Sequence, residues 1–558
     1  MRSVSPTCPV PIAQWCDGPA RLHSSIANPF FGVGVQSDLM NSDINALYAS
    51  QPDLIMGDRD YYLDPENESI RTAYKEYLGK IFRLSGVPEA DIDKAVAGVL
   101  SIETKLAEKN WSSVELRNIP AMYNPRTLDQ LKAEYPHIAW DRFFVETMGI
   151  ETPQEFILTE PKGMKQADNL VASLTDRELK DYYLWKYVAQ AAPYLSENFT
   201  DTAFEFSKVR SGVQEQRPLW KRALGVPDGY MGEAIGRLYV EKYFPESSKQ
   251  KMLELVGNLK VSLGKHIINL PWMTDETKLK AIEKLNAFTV KIGYPDKWKD
   301  YSSMEIDPAK SYYRNVHAAS MWHNNETLAK WGKPVDKSEW GMTPQTVNAY
   351  YNPMANEIVF PAAILQNPFF DPEASDAENY GGIGVVIGHE MTHGFDDQGR
   401  NFDPKGNMIN WWTEEDAASF DALTKKLGEQ FDKVEILPGL FANGTYTMGE
   451  NIADQGGLRI SHTAFLDAQK RKGVDVTSEE AKIDGFTPDQ AFYLNYANIW
   501  ATNMRDEEKR NLTIGDVHSL AENRVNVTLR NIVPFFEAFG IKEGDKLYRP
   551  AAEQVIIW

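Results

Sequence analysis

The chain has 558 residues, of which 42% are hydrophobic and 25% charged, a globular composition long enough for two or more domains. A net charge of −20 argues against a nucleic-acid partner, and no run of about 18 apolar residues is present to span a membrane. Met1 to Leu22 also lacks the apolar centre of a signal peptide.

Residues 1–21 are punctuated by prolines without a sustained period, and are read as an irregular or foreign segment. Both cysteines, Cys8 and Cys16, lie there, so the body of the chain has no possible disulfide and must be stabilised by packing. Further on, Ile92, Val96, Val99, Leu100, Glu103 and Leu106 follow a helical period with one apolar stripe. Helices are expected over Asp168 to Ala192, Gly229 to Phe244, Glu246 to Leu270 and Asp275 to Phe288. The character changes near Tyr301 to Asp307, and strand-like alternation appears around Thr346 to Phe360. A boundary is drawn near residue 310, dividing the chain into 1–21, 22–310 and 311–558.

The segment Val385-Val386-Ile387-Gly388-His389-Glu390-Met391-Thr392-His393 carries the chemistry. On a helix, positions i and i+4 share a face, so His389 and His393 can both reach one zinc ion while Glu390 stands beside them to take a proton from water. The bland alternative is an amphipathic helix with two satisfied histidines. The apolar run from Ile383 to Ile387 argues against it, because a buried His-Glu-His group needs partners. A catalytic zinc takes a third protein ligand. A metzincin would place histidine at position 399 and glycine at 396, but the chain has Gly399 and Asp396. The next candidate is Glu450, 57 residues after His393, with Asp454 again at i+4. Glu450 could bind the metal and Asp454 could orient a ligating histidine. On spacing alone, a solvated acidic face at a helix start is the better account of the pair. Asp396 is open to two readings, a carboxylate orienting His393 or an exposed cap.

Taken together these residues resemble the neprilysin family of zinc metallopeptidases. Asn348-Ala349-Tyr350-Tyr351 is similar to the family's substrate-binding edge strand, and Ile358-Val359-Phe360-Pro361-Ala362-Ala363-Ile364-Leu365-Gln366 to the segment after it. Asp516-Val517-His518-Ser519, with Arg524 six residues after the histidine, matches the family's oxyanion histidine and substrate-binding arginine. Gly57-Asp58-Arg59-Asp60-Tyr61-Tyr62 resembles a family loop, and the block Trp272-Met273, Thr277-Lys278, Lys284 and Ile292-Gly293-Tyr294-Pro295 resembles its helical lid, where plain packing is the main role expected.

The resemblance implies a mainly α protein with a small β component, in which a zincin-like catalytic domain (311–558) and a large helical lid domain (within 22–310) enclose a central chamber. It implies one Zn2+ per chain, held by His389, His393 and Glu450. Glu390 is the expected general base, with Asp454 and His518 as further catalytic groups. Asn348, Ala349 and Arg524 would bind the peptide backbone, and Ile364, Phe369, Val386, Ile499 and Trp500 would form a pocket for a hydrophobic side chain just after the cut bond. For those five, ordinary core packing is the competing reading, and for Arg524 a structural salt bridge.

The expected activity is that of an endopeptidase cutting short peptides on the amino side of hydrophobic residues, acting as a monomer. The alternative is a truncated, catalytically silent relative that binds peptides or other surfaces. The chain's Val555-Ile556-Ile557-Trp558 ending fits a bacterial member better than an animal one. A family segment containing Tyr-Ala-Asn-Gly finds no counterpart here, so the resemblance implies an N-terminally shortened chain whose full-length precursor reaches the periplasm or cell surface.

Overall fold

The computed structural model describes residues 29–558. The segment read as irregular over residues 1–21, with Cys8 and Cys16, lies outside the described residues. Contacts divide the chain into two compact units that interleave along it. The first contains the described residues up to Asp38 together with Asp43–Val226 and Tyr301–Val335. The second contains Leu39–Ser42, Pro227–Asp300 and Asp336–Trp558.

In the first unit, strands β1 (Gly32–Ser37), β2 (Asn45–Ser50), β3 (Asn124–Thr127) and β4 (Glu155–Leu158) form a sheet in the order β1-β2-β4-β3. The first pair is antiparallel, with Gly32 opposite Ser50, and β2 runs parallel to β4. Its principal helices are α1 (Glu68–Leu84), α2 (Glu89–Ala107) and α3 (Asp176–Ala191). Of the stripe expected from the sequence, helix α2 buries Ile92, Val96, Val99 and Leu106 and leaves Leu100 half-buried, while Ile102, outside that stripe, is buried too. Glu103 sits on the same stripe and is fully buried. It is satisfied there by the hydroxyls of Tyr62 at 3.0 Å and Tyr74 at 2.6 Å, as a buried carboxyl must be.

The helix expected over Asp168 to Ala192 is two helices, Pro161–Ser173 and α3. Thr175 is the cause: its hydroxyl accepts from the Glu178 amide while the Glu178 carboxylate accepts from the Thr175 amide, a capping box that starts a new helix. Gly229 to Phe244 likewise contracts to Gly232–Tyr243.

The second unit has a three-stranded sheet of β5 (Thr289–Gly293), β6 (Tyr350–Asn352) and β7 (Glu357–Pro361), in the order β5-β7-β6. Strand β7 is central and wholly buried, which suits its run Ile358-Val359-Phe360. Strand β6 is antiparallel to it, with Tyr351 opposite Ile358, and lies at the edge. The helices that position the site are α4 (Glu246–Asn269), α5 (Asp275–Asn286), α6 (Val385–His393), α7 (Met448–Lys472), α8 (Pro488–Ile499) and α9 (Ala521–Leu529). One apolar core runs through all of them, including Leu259, Ile358, Ile387, Ile452 and Phe492. Among the described residues no helix is long and apolar enough to cross a membrane.

Candidate metal centre

Helix α6 is the segment Val385–His393, entered through a π-type turn over Tyr380–Gly384. It is apolar on nearly all sides, so the core surrounds it and its polar groups must find partners inside the protein. Helix α7 crosses it at backbone contact distance. A Cβ on Gly388 would lie 2.8 Å from the Gly457 Cα, and one on Gly457 would lie 2.5 Å from the His389 amide nitrogen. Only glycine allows this approach. It brings Glu450, in the first turn of α7, against the two histidines.

Ligand atoms of His389, His393 and Glu450 all lie within 4.8 Å of one another. The two imidazole Nε2 atoms are 3.0 Å apart. Each ring is held from behind: His389 Nδ1 donates to Asp454 Oδ1 at 2.9 Å, and His393 Nδ1 donates to Asp396 Oδ2 at 2.7 Å. With Nδ1 carrying the proton, each ring in its neutral, metal-binding form turns its Nε2 lone pair inward. Glu450 Oε2 is buried without an aligned hydrogen bond, 3.2 Å from both His389 Nε2 and His518 Nε2. Two imidazoles and one carboxylate converging in a buried place are a donor set that fits zinc. The surrounding charge agrees. Burial disfavours a charge on His393, yet Glu450, Asp396 and Glu390 outweigh it and push the imidazole up to about 10, so the cluster calls for positive charge at its centre.

Glu390 is 5% exposed, and burial raises its pKa above the ordinary carboxyl value. Asp454 and Asp396 are buried, at 2% and 5% exposure, so neither is a solvated face or an exposed cap. Asp454 also receives a two-pronged contact from Arg524, whose Nε and Nη2 donate to its two oxygens at 2.7 Å each. Against the cost of burial, Arg524 and His389 hold the Asp454 carboxyl below its ordinary range. Arg524 thus makes the structural salt bridge that the sequence left open, and its guanidinium also stacks on Trp500, 3.9 Å from the ring centroid.

His518 stands on the loop before α9, 44% exposed at the side chain. Its Nδ1 donates to Asp516 Oδ1 at 2.7 Å, which leaves Nε2 directed toward Glu450. Burial lowers this imidazole, but the hydrogen bond to Asp516 and the nearby Glu450 carboxylate outweigh it and push it up to about 9. Ser519 next to it donates to Asn451 on α7 at 2.7 Å, pinning the loop beside the ligand helix.

Asn348 is exposed and Ala349 buried, immediately before edge strand β6. Ile364 and Ile499 are buried in the core cluster, while Phe369, Val386 and Trp500 pack against it half-buried. The sequence reading did not identify Asp516 as the partner of His518, although its position two residues earlier in Asp516-Val517-His518 was a usable signal. Nor could it pair Arg524 with Asp454, which lies on another helix.

Two family models described as peptidase family M13 match the chain, one over residues 12–295 and the other over residues 348–555. This chain belongs to peptidase family M13. Among M13 relatives, it is 34% identical to neprilysin-11 of Caenorhabditis elegans over 540 residues, covering 91% of this chain and 63% of that protein. It is 33% identical to the neutral endopeptidase of Lactobacillus helveticus, covering 95% of this chain and 79% of the relative. The zinc metalloprotease ZMP1 of Mycobacterium tuberculosis, solved in complex with an inhibitor, superposes with a TM-score of 0.91 at 36% identity, covering 97% of this chain and 82% of that one. All the candidate site residues named above belong to the second unit.

Proposed function

We propose that this M13 chain is a zinc-dependent endopeptidase that hydrolyses short peptides on the amino side of hydrophobic residues. The observation that carries this reading is the convergence of the His389, His393 and Glu450 ligand atoms within 4.8 Å, with Glu390 on the same helix. Its similarity to a neutral endopeptidase and to a zinc metalloprotease supports it.

Zinc, when bound by these three residues, supplies a Lewis acid and lowers the pKa of water at the site to about 7. Glu390 takes the proton from the attacking water as its oxygen adds to the peptide carbonyl, then delivers that proton to the leaving amine. His518, kept protonated on both nitrogens by its carboxylate neighbours, donates from Nδ1 to Asp516 and from Nε2 to the oxyanion that develops on the carbonyl oxygen. Asp454 and Asp396 hold the imidazoles of His389 and His393 in register. Asn348 and the Ala349 backbone receive the peptide as a strand added beside β6, which grips main chain without reading side chains. Selectivity then falls to Ile364, Phe369, Val386, Ile499 and Trp500, an apolar set suited to a hydrophobic residue just after the cut bond. Arg524 contacts a substrate carbonyl on the leaving-group side in addition to bracing Asp454.

Metal analysis and cleavage of a peptide library on one purified sample test the reading. One zinc per chain with cuts preceding Phe, Leu or Ile is expected; zinc-loaded protein that binds peptides without cutting them would favour the silent-binder alternative.

His518→Ala is expected to lower kcat by about 10²–10³-fold, with little change in KM and full zinc content, because an oxyanion donor acts once charge has developed. Arg524→Ala should raise KM and also weaken zinc binding, since Asp454 loses its brace. Kinetics of both variants on one fluorogenic peptide check this, and unchanged kcat in His518→Ala would make that histidine a loop anchor only.

A further inference from the structure

Lys284 lies on α5 and is completely buried. Its Nζ donates to the carbonyl oxygens of Gly399 and Phe402, at 2.7 Å each. Those carbonyls flank the 3-10 turn Gly399–Asn401 that follows the histidine helix. The amides of Gln398 and Gly399 donate to Asp396 Oδ1 at 2.9 and 2.6 Å, and Asp396 Oδ2 accepts from His393 Nδ1 at 2.7 Å. The turn is also stacked on the helix end, since a Cβ on Gly399 would lie 1.7 Å from the His393 carbonyl oxygen.

Burying an ammonium is costly, and burial holds Lys284 down to about 7 although Asp396 and Asp403 favour its charge. The rings of Phe395, Tyr351 and Trp411 stand 5.7 to 5.9 Å from its Nζ. A leucine or methionine would fill such a space without that penalty. What lysine adds is a pair of donated hydrogen bonds, and both go to the one turn whose amides orient Asp396.

We propose that Lys284 is a positioning residue for the metal site, fixing the His393 imidazole through the Gly399 turn and the Asp396 carboxylate. This rests on the reading of His393 as a zinc ligand. Removing a partner that orients a metal-bound histidine weakens metal binding by roughly 10–100-fold.

The test measures zinc affinity by chelator competition on folded full-length protein, alongside its melting temperature without metal. Lys284→Met keeps the length and loses the donors, and should weaken zinc by roughly 10–100-fold. Lys284→Gln retains N–H donors on a shorter arm and should fall between, which also provides a readout should the methionine variant not fold. Leu285→Ala, a core truncation next door, should lower the melting temperature and leave zinc affinity unchanged, separating positioning from packing. Adding Lys284→Met to Asp396→Asn should weaken zinc little further than Asp396→Asn alone, because both act along one line. Unchanged zinc affinity in the folded Lys284 variants, or fold-changes that simply multiply in the double variant, would overturn the inference. Parent protein that binds no zinc would instead remove the reading beneath it.

Discussion

Glu390→Gln is expected to abolish measurable hydrolysis while zinc stays in place. Glutamine matches glutamate in size, so the buried position remains filled and α6 keeps its packing. The amide cannot accept the proton of the attacking water, and loss of a positioned general base costs about 10²–10⁴ in rate. His389, His393 and Glu450 are untouched, so metal analysis of the dialysed variant should match the parent. Parent-like turnover of a fluorogenic peptide would sink the assignment of Glu390 as the base, whatever the metal content.

The second large effect is on the metal itself. Glu450→Ala removes the only carboxylate of the three-residue donor group and leaves two imidazole nitrogens 3.0 Å apart without an anionic partner. Losing a donor atom should cost more than the roughly 10–100-fold that follows loss of an orienting partner, so zinc is expected to be stripped by dialysis and activity to disappear with it. His518 loses a neighbour at 3.2 Å in the same variant, so activity alone would be ambiguous and zinc occupancy is the readout to follow. Full occupancy in Glu450→Ala would mean that the third ligand lies elsewhere.

What could be read from the sequence is what a helix repeats. His389 and His393, and then Glu450 and Asp454, are each four apart, and a period of 3.6 puts each pair on one face whatever the rest of the chain does. The mainly helical class with a small sheet component was legible for the same reason. What could not be read is which faces meet. The crossing of α6 and α7 depends on Gly388 and Gly457, residues whose contribution is the absence of a side chain. The pairing of Arg524 with Asp454 and of Lys284 with the Gly399 turn joins positions 70 and 115 residues apart, beyond any local pattern. The break at Thr175 was locally legible, because Thr175 and Glu178 carry the capping-box spacing, yet it lay hidden inside a longer apolar period. A boundary near residue 310 is linear by necessity, whereas units defined by packing are free to borrow distant segments, as Leu39–Ser42 and Pro227–Asp300 do.

The glycine contact between α6 and α7 bears on which cations the centre can accept. Helices that touch through side chains can drift apart as rotamers change, but these meet main chain to main chain, with no room to close further. Both imidazoles are clamped from behind by carboxylates, so neither ring is free to advance or retreat. Adjustment to a larger or smaller ionic radius therefore falls to Glu450, whose side chain has three rotatable bonds and whose Oε2 has no aligned hydrogen bond. A cation that needs longer bonds, or more of them, must be met by a swing of that one carboxylate rather than by the frame.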